Sequence, residues 1–430
     1  MEASTFNIYS MLPDDQVIIY NTFSTSLIVI PTSIYNQIFV NSILDDTETV
    51  NQLQELGFLV SNTLDELSEI ELMRKEEIER TDEQVVTIFS TNRCNARCYY
   101  CFEKGINDHH MSEITALDTV RFIKDFYPEK ELSIKWFGGE PLYNFGAIRT
   151  ITDELRNNGY TLKAHITSNG SLLTQEIIDY FKDNYEIVTF QVTIDDVGEN
   201  YYRIKKYIDL TEANAFQTVV DNCKMLIDNN IYVSIRINYL FQKLDDAIEI
   251  FHKLETIFSD CDPELYIIYL AAITLPQSDK KITPEEYRDL SIRALLYNRR
   301  HNQIEEKDSK YQLYLFDLLP QKSPCAATNV KNLSITADGY IFKCHRFAQH
   351  DNYSIGHVSK GVDINHFCYS DFVDYHITNP DCRACNILPI CQGGCKAIQQ
   401  LNTGDLFCDL KELGPSLVRA YYDYIIDKDS

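Results

Sequence analysis

The chain has 430 residues, 44% hydrophobic and 24% charged, the composition of a globular protein long enough for two or three domains. Its formal net charge of −25 excludes general binding to nucleic acid or to anionic membranes, both of which need a basic face. No apolar run reaches membrane-spanning length, and residues 1–15 lack a basic stretch followed by an apolar one, so a cytoplasmic protein is expected. In that compartment its thirteen cysteines are expected as metal ligands or catalytic groups rather than disulfides.

Residues 1–84 read as a small α+β domain holding 16 acidic and 3 basic residues. Val17–Thr22 and Ser26–Ile30 form a hairpin of β-formers, and Pro31-Thr32-Ser33 opens a helix with Ile34, Ile38 and Phe39 on one face. A short helix, Thr49–Leu56, ends at Gly57, and Phe58-Leu59-Val60 begins a strand. The pattern is winged-helix-like. The acidic stretch Asp65–Glu83 reads as a solvated helical connector.

Residues 85–271 alternate strands with helices. The strands are Val85–Phe89, Leu132–Phe137, Leu162–Thr167, Ile187–Ile194, Tyr232–Tyr239 and Leu265–Leu270, with helices near 112–126, 145–157, 174–183, 212–229 and 244–257. Six strands with five crossovers predict a parallel sheet, either a partial barrel or an open doubly wound sheet, buried on both faces. In both folds the site lies at the carboxyl ends of the strands. Cys94-x3-Cys98-x2-Cys101 follows strand one, Gly138-Gly139-Glu140-Pro141 follows strand two, and Ser168-Asn169-Gly170 ends strand three. Gln191, Thr193 and Asp195 share one face of strand four, as Ser234, Arg236 and Asn238 do on strand five. Such faces are costly unless they line a cavity. A cubane iron–sulfur cluster is usually held by four thiolates; three cysteines leave one iron open.

Residues 272–324 read as a bridge, with a helix from Pro284 to about Arg300, a polar loop Asn302–Lys310 and a short helix Tyr311–Leu319. From 325 to 430 cysteines set the order: Cys325, thirteen residues, Gly339, four residues, Cys344; then Cys382-x2-Cys385-x5-Cys391-x3-Cys395, and Cys408. Leu333–Phe342 is a hairpin about Ala337-Asp338-Gly339. Few apolar residues remain, so metal substitutes for a core, with zinc as the alternative to iron. Isolated Cys223 and Cys261 read as small buried hydrophobes.

Cys94-x3-Cys98-x2-Cys101, with Tyr100 before the last cysteine, resembles the signature of radical S-adenosylmethionine (SAM) enzymes. Gly138, Gly139 and Glu140 resemble their motif for the methionine amino group; Ser168, Asn169 and Thr193 match ribose and carboxylate contacts, and Arg236 matches a residue that orders the site. The C-terminal spacing resembles the SPASM extension. The resemblance spans about residues 85–410. It implies a partial (β/α)6, TIM-like barrel, and between an N-terminal precursor-recognition-like domain and a C-terminal iron–sulfur domain it implies three four-iron, four-sulfur clusters. Cys382, Cys385, Cys391 and Cys408 would hold the distal auxiliary cluster, and Cys325, Cys344 and Cys395 the nearer one. Sulfatase-maturing relatives have a further cysteine where this chain has Ala326–Lys331, so either Cys368 is the fourth ligand or an iron stays open.

The implied chemistry is reductive cleavage of SAM to a 5′-deoxyadenosyl radical that abstracts a substrate hydrogen. No catalytic residue is assigned beyond the SAM cluster. The expected reaction is a cysteine sulfur-to-carbon thioether crosslink in a ribosomally made peptide, with the leader docked on the N-terminal domain and a flavodoxin or ferredoxin as electron donor. A carbon–carbon or carbon–oxygen crosslink, or formylglycine formation, is the alternative. A non-catalytic peptide-binding scaffold is the least favoured.

Overall fold

Contacts group the chain into two compact units, Met1–Glu79 with Ile282–Thr328 and Asp374–Ser430, and Arg80–Lys281 with Asn329–Val373. The computed structural model describes residues 1–82, 84–101, 103, 108–240, 243–273, 286, 290–294, 297–298, 319–348, 350–401, 414–420 and 422–423. The predicted loop at 302–310 and nearly all of the predicted helix at 311–319 lie outside them, as do most of the residues from Pro284 to Arg300 and Cys408.

In the first unit β1 (Glu2–Ala3) pairs antiparallel with β5 (Leu59–Val60). β2 (Asn7–Leu12), β3 (Gln16–Asn21) and β4 (Leu27–Pro31) form an antiparallel sheet in that order. The expected hairpin is β3–β4; β2 is an added strand. The run Val17-Ile18-Ile19-Tyr20 is continuously apolar because both faces of β3 are covered. Val17 and Ile19 pack with Ile38, Leu53 and Phe58, while Ile18 and Tyr20 pack with Phe6, Ile8 and Ile70. Ile38 follows the turn α1 (Thr32–Tyr35), and Leu53 lies on α2 (Thr47–Glu55), capped by Asp46. The second core also takes in Ile377, Cys385, Ile387, Leu388 and Val418, so the N-terminal strands and the C-terminal cysteine segment share apolar contacts.

The acidic helix α3 (Glu66–Glu79) is not the solvated connector its composition suggests. Ile70, Arg74 and Ile78 are buried. The Arg74 guanidinium, 2% exposed, donates to the carbonyl oxygens of Tyr375 at 2.8 Å, Asp374 at 3.3 Å and Gln392. Acidic residues cover the outer surface while one cation clamps two backbone segments. Arg74→Ala leaves three carbonyls without these donors and should cost the first unit about 2–4 kcal/mol, read as a lower denaturant midpoint.

In the second unit six parallel strands follow chain order: β6 (Val85–Thr91), β7 (Glu131–Gly138), β8 (Thr161–Ser168), β9 (Ile187–Thr193), β10 (Tyr232–Leu240) and β11 (Tyr266–Ile273). The crossovers are α4 (Glu113–Phe126), α5 (Phe145–Asn157), α6 (Gln175–Asn184), then α7 (Gly198–Lys205) with α8 (Ala215–Asp228), and α9 (Leu244–Ile257). All but α7 are expected from periodicity. Ser112 and Thr174 cap α4 and α6 through side-chain oxygens. The hairpin β12 (Leu333–Ile335) and β13 (Tyr340–Phe342) extends the sheet, β12 lying parallel to β6. This is a mixed α/β architecture around one large parallel sheet, consistent with a partial TIM-like barrel.

β6 is buried on both faces, as its apolar content predicts, at every residue but Thr87, whereas β7 to β10 are not. Ile134, Trp136, Leu162, Ala164, Ile166, Phe190, Val192, Val233 and Ile235 are at most 1% exposed on the face that bears the helices. The alternate residues Lys135, Lys163, His165, Gln191, Ser234 and Arg236 are exposed or half-buried. One face is core; the other is an open, polar inner face.

Candidate cofactor site and cysteine clusters

The cysteine loop leaves the carboxyl end of β6 and is held by the end of β7. Gly138 has φ +118°, and a Cβ there would stand 2.1 Å from the Thr91 carbonyl oxygen; one on Gly139 would stand 2.3 Å from that of Arg93. Only glycine permits this approach. The Gly139 N–H then donates to Thr91 O at 3.1 Å and the Glu140 N–H to Arg93 O at 2.9 Å.

Glu140 is fully buried. Its carboxylate accepts from the Asn169 N–H at 2.7 Å, Ser168 Oγ at 2.9 Å and the Leu142 N–H at 3.2 Å. Burial pushes its carboxyl up to about 7, against these three hydrogen bonds. Glu140 therefore fixes Ser168 and Asn169 at the end of β8. Asn169 reaches on: its amide nitrogen donates to Asn95 Oδ1 at 2.8 Å and lies 3.8 Å from Cys94 Sγ. Asn95 in turn donates to Ser171 Oγ and both Asp209 oxygens.

A second network is built on Lys205, the last residue of α7, which is 1% exposed. Its Nζ lies 2.7 Å from Asp195 Oδ2 and donates to Thr193 Oγ1 at 2.6 Å and Tyr100 Oη at 2.9 Å. Tyr100 donates to Asp195, which also accepts the Asn238 N–H at 3.0 Å. Asn238 Nδ2 reaches Tyr100 Oη at 3.3 Å, and Arg236 Nε donates to Asn238 Oδ1 at 2.8 Å. The Lys205 carbonyl accepts the Arg97 N–H at 2.7 Å. Burial opposes the ammonium charge, but Asp195, Tyr100 and Cys98 hold it well above its ordinary range.

The structure thus brings together every residue named for the SAM site, in two knots: Gly138, Gly139, Glu140, Ser168 and Asn169 in one, Tyr100, Thr193 and Arg236 in the other. Sequence reasoning missed Lys205, Asn95, Asp209 and Ser171. Lys205 carries no sequence signal, since Arg203-Ile204-Lys205-Lys206 reads as a solvated basic run.

The sulfurs sit where donors face them. The Ala96 N–H donates to Cys94 Sγ at 3.3 Å, and Lys205 acts on Cys98. Burial, then Glu140 and the neighbouring Cys98 and Cys101, push the Cys94 thiol up to about 12, so the three thiols lie within electrostatic reach of one another. Among the described residues no three Cys, His, Asp or Glu side chains converge on a single metal ion. Three close thiols met by N–H groups and an ammonium suit the negative charge of a thiolate-bound cluster. Glu103 Oε1 is buried without a hydrogen-bond partner among the described residues, an acceptor suited to a donor-bearing group beside Cys101.

The remaining cysteines divide between the units. Cys344 and Cys368 belong to the second; burial, then Asp371 and Cys344, push the Cys368 thiol up to about 12. Cys368 is fully buried, on a helix with Phe372. Cys325, Cys382, Cys385, Cys391 and Cys395 belong to the first. Cys382, Cys385 and Cys391 pack on one apolar cluster, and Cys382 and Cys391 act on Arg74. Cys223 is buried, as expected, and Cys261 is half-buried. Among the described residues no helix is long and apolar enough to cross a membrane.

Residues 88–254 match the model of the radical SAM superfamily. The chain therefore carries a radical SAM domain, a domain that implies SAM and a four-iron, four-sulfur cluster. It is similar to the radical SAM cyclopropyl synthase TigE of Paramaledivibacter caminithermalis, 27% identical over 47% of this chain and 46% of that one. It is also similar to a cysteine-type anaerobic sulfatase-maturating enzyme of Clostridium novyi, 24% identical over 74% of this chain and 91% of the relative. By fold it resembles anSMEcpe with bound AdoMet (TM-score 0.62, 14% identity, 80% of this chain and 97% of that one). It likewise resembles Streptococcus suis SuiB (TM-score 0.54, 15% identity, 94% and 97%).

Two outcomes follow from the buried groups. Lys205→Met leaves Asp195 buried without its cation and should cost about 3–5 kcal/mol, with the double variant Lys205→Met/Asp195→Asn losing less than the two single losses combined. The fold favours the protonated form of Glu140. That contribution is complete below the ordinary value of 4.5 and is lost as pH rises through about 7. The apoprotein should melt lower at pH 8 than at pH 5, and Glu140→Gln should flatten the difference; Glu103, pushed up to about 8 by burial and by Glu140, retains part of it.

Proposed function

We propose that the protein is a radical SAM peptide maturase that joins a cysteine sulfur to a carbon of a ribosomally made precursor peptide. The observation that carries this reading is the doubly knotted cysteine loop, with Glu140 and Lys205 fixing its two halves. SAM, when bound, supplies the hydrogen-abstracting chemistry. The chain's own part is to hold Cys94, Cys98 and Cys101 as cluster ligands, with Gly138, Gly139, Glu140, Ser168, Asn169, Tyr100, Thr193 and Arg236 lining the SAM site. Asn95, Asn169 and the Ala96 N–H orient Cys94, and Lys205 stabilises negative charge at Cys98.

The substrate class rests on likeness. SuiB has been solved with its precursor peptide SuiA, and anSMEcpe with a Cp18Cys peptide. β4 is an edge strand among the described residues, the geometry by which a leader peptide adds to a sheet. The auxiliary clusters would use Cys382, Cys385, Cys391 and Cys408 for one, and Cys325, Cys344 and Cys395 for the other. Cys368, fully buried beside Phe372, would stay in the apolar core on this reading, and the nearer cluster would then have a position for a substrate thiolate. A ferredoxin or flavodoxin would supply the electron. The likeness to the Clostridium novyi enzyme favours a second reading, oxidation of a Cys or Ser to formylglycine.

The test uses anaerobically reconstituted full chain with any short cysteine-bearing peptide that sequencing finds encoded beside its gene; a sulfatase found there instead overturns the thioether. Loss of two hydrogens with the thiol blocked to alkylation supports the thioether; loss of the sulfur supports formylglycine; an unmodified peptide overturns both. Iron should number roughly twelve per chain, four for each of three cubanes, and stay so in Cys368→Ala. A count near four removes the auxiliary clusters. Replacing Cys94, Cys98 and Cys101 by Ala should abolish 5′-deoxyadenosine formation.

A further inference from the structure

Lys205 and Asp195 cancel in charge but not in position. Two backbone hydrogen bonds lace the cysteine loop to the segment that carries Lys205. The Arg97 N–H donates to the Lys205 carbonyl at 2.7 Å, and the Ile208 N–H to the Asn95 carbonyl at 2.9 Å. The Lys205 ammonium then turns inward and meets Tyr100 Oη at 2.9 Å. Lys205 is therefore tied to residues on both sides of Cys98, to Arg97 by its carbonyl and to Tyr100 by its Nζ. Tyr100 Oη is also within hydrogen-bonding reach of Cys98. Asp195 follows β9 instead, and its Oδ1 accepts the Asn238 N–H of β10 at 3.0 Å. The pair thus turns its cation toward the cysteine loop and its carboxylate toward the sheet.

The sulfurs register that asymmetry. Burial pushes the Cys98 thiol up, and Lys205 opposes the rise more than Asp195 adds to it. Burial, then Glu103, push the Cys101 thiol up to about 11, and Lys205 opposes that rise as well. Both side chains of the pair are buried, so neither charge is screened by water or salt as a surface charge is. Reduction adds one electron, and with no proton taken up one negative charge, to a cluster held by Cys94, Cys98 and Cys101. The potential of such a cluster follows its net charge, the hydrogen bonds to its sulfurs and its exposure. A buried cation beside Cys98 stabilises the added charge, and a buried carboxylate opposes it.

We propose that the Lys205–Asp195 pair sets the reduction potential of the cluster held by Cys94, Cys98 and Cys101, with Lys205 raising it and Asp195 holding it down. The inference goes beyond the peptide-maturase reading: it rests on the radical SAM domain and holds whatever the substrate. Lys205 acts through the sulfurs and is a positioning residue, not a catalytic one. The two members of the pair therefore have opposite effects on one measurable quantity. A pair that served packing alone would not separate them in sign, because losing either partner strands the other in the same buried site.

The test is a redox titration of the anaerobically reconstituted full chain without SAM. It follows the electron paramagnetic resonance signal of the reduced cluster that is missing from Cys94→Ala/Cys98→Ala/Cys101→Ala. At the wild-type midpoint Lys205→Met should lower the ratio of reduced to oxidised cluster about tenfold, a shift of about 59 mV toward lower potential for a one-electron couple. Asp195→Asn should move the midpoint the other way, and Lys205→Met/Asp195→Asn should lie between the two. Lys205→Arg keeps the charge and should stay close to the wild type. The differences should persist in about 0.5 M salt, because a buried pair is screened little. An unmoved midpoint in Lys205→Met, or shifts of one sign in both single variants, overturns the inference. Where Lys205→Met takes up no cluster, Asp195→Asn decides: a midpoint at or below that of the wild type overturns it. Absence of the signal from the wild type overturns the cluster assignment itself.

Discussion

The Lys205–Asp195 ion pair is the constraint on which the arrangement of the cysteine loop depends. Both side chains are 1% exposed, so each charge has lost its water. Such a pair persists only when its remaining hydrogen-bonding capacity is filled. Here it is: the ammonium meets Asp195, Thr193 and Tyr100, and the carboxylate also meets Tyr100 and the Asn238 N–H. The filling groups come from the end of β9, from β10, from α7 and from the cysteine loop itself. Removing one partner strands charge in a site that four elements share. The backbone bond from Arg97 to the Lys205 carbonyl ties the loop to the same helix end.

Glu140 solves a different problem with the opposite sign. It needs no cation, because three donors, two of them backbone N–H groups, surround it and one of its ionisation states is always satisfied. Its burial raises the carboxyl to about 7, so its charge is conditional where that of Lys205 is permanent. The loop is thus gripped near Cys94 by an amide chain running from Glu140 through Asn169, and near Cys98 and Tyr100 by an ion pair. Two independent grips on eight residues fix the spacing of three sulfurs better than either would alone.

The six strands and five of the crossover helices were legible because the helix-facing side is apolar: on β8 Leu162, Ala164 and Ile166 alternate with Lys163, His165 and Thr167, while β6 and β11 read as nearly continuous apolar runs. The glycine pair and Ser168-Asn169-Gly170 were legible because short motifs at strand ends carry their own geometry. Lys205 was not, since a buried lysine and a solvated one have the same neighbours in sequence, and the helix that delivers it is short and polar. Arg74 hid in the same way, inside a helix whose acidic residues advertise solvent. β2 was missed because its two faces serve two different cores, Ile8 facing one and Tyr9 the other, so it shows no single apolar stripe.

Lys205 and Arg74 make the same physical argument in separate units. A cysteine-rich loop has few apolar side chains with which to bury itself, and its thiols, once ionised, add negative charge to a chain already at −25. Each unit places a buried cation beside sulfurs, Lys205 near Cys98 and Arg74 near Cys382 and Cys391, and the second unit adds Lys343, whose ammonium acts on Cys368. The choice of residue follows the partners. Lysine, a compact point charge, suits a single carboxylate with two hydroxyls; arginine's planar fork suits three carbonyls spread over two backbone segments. A cation spent on structure in this way is unavailable to substrate.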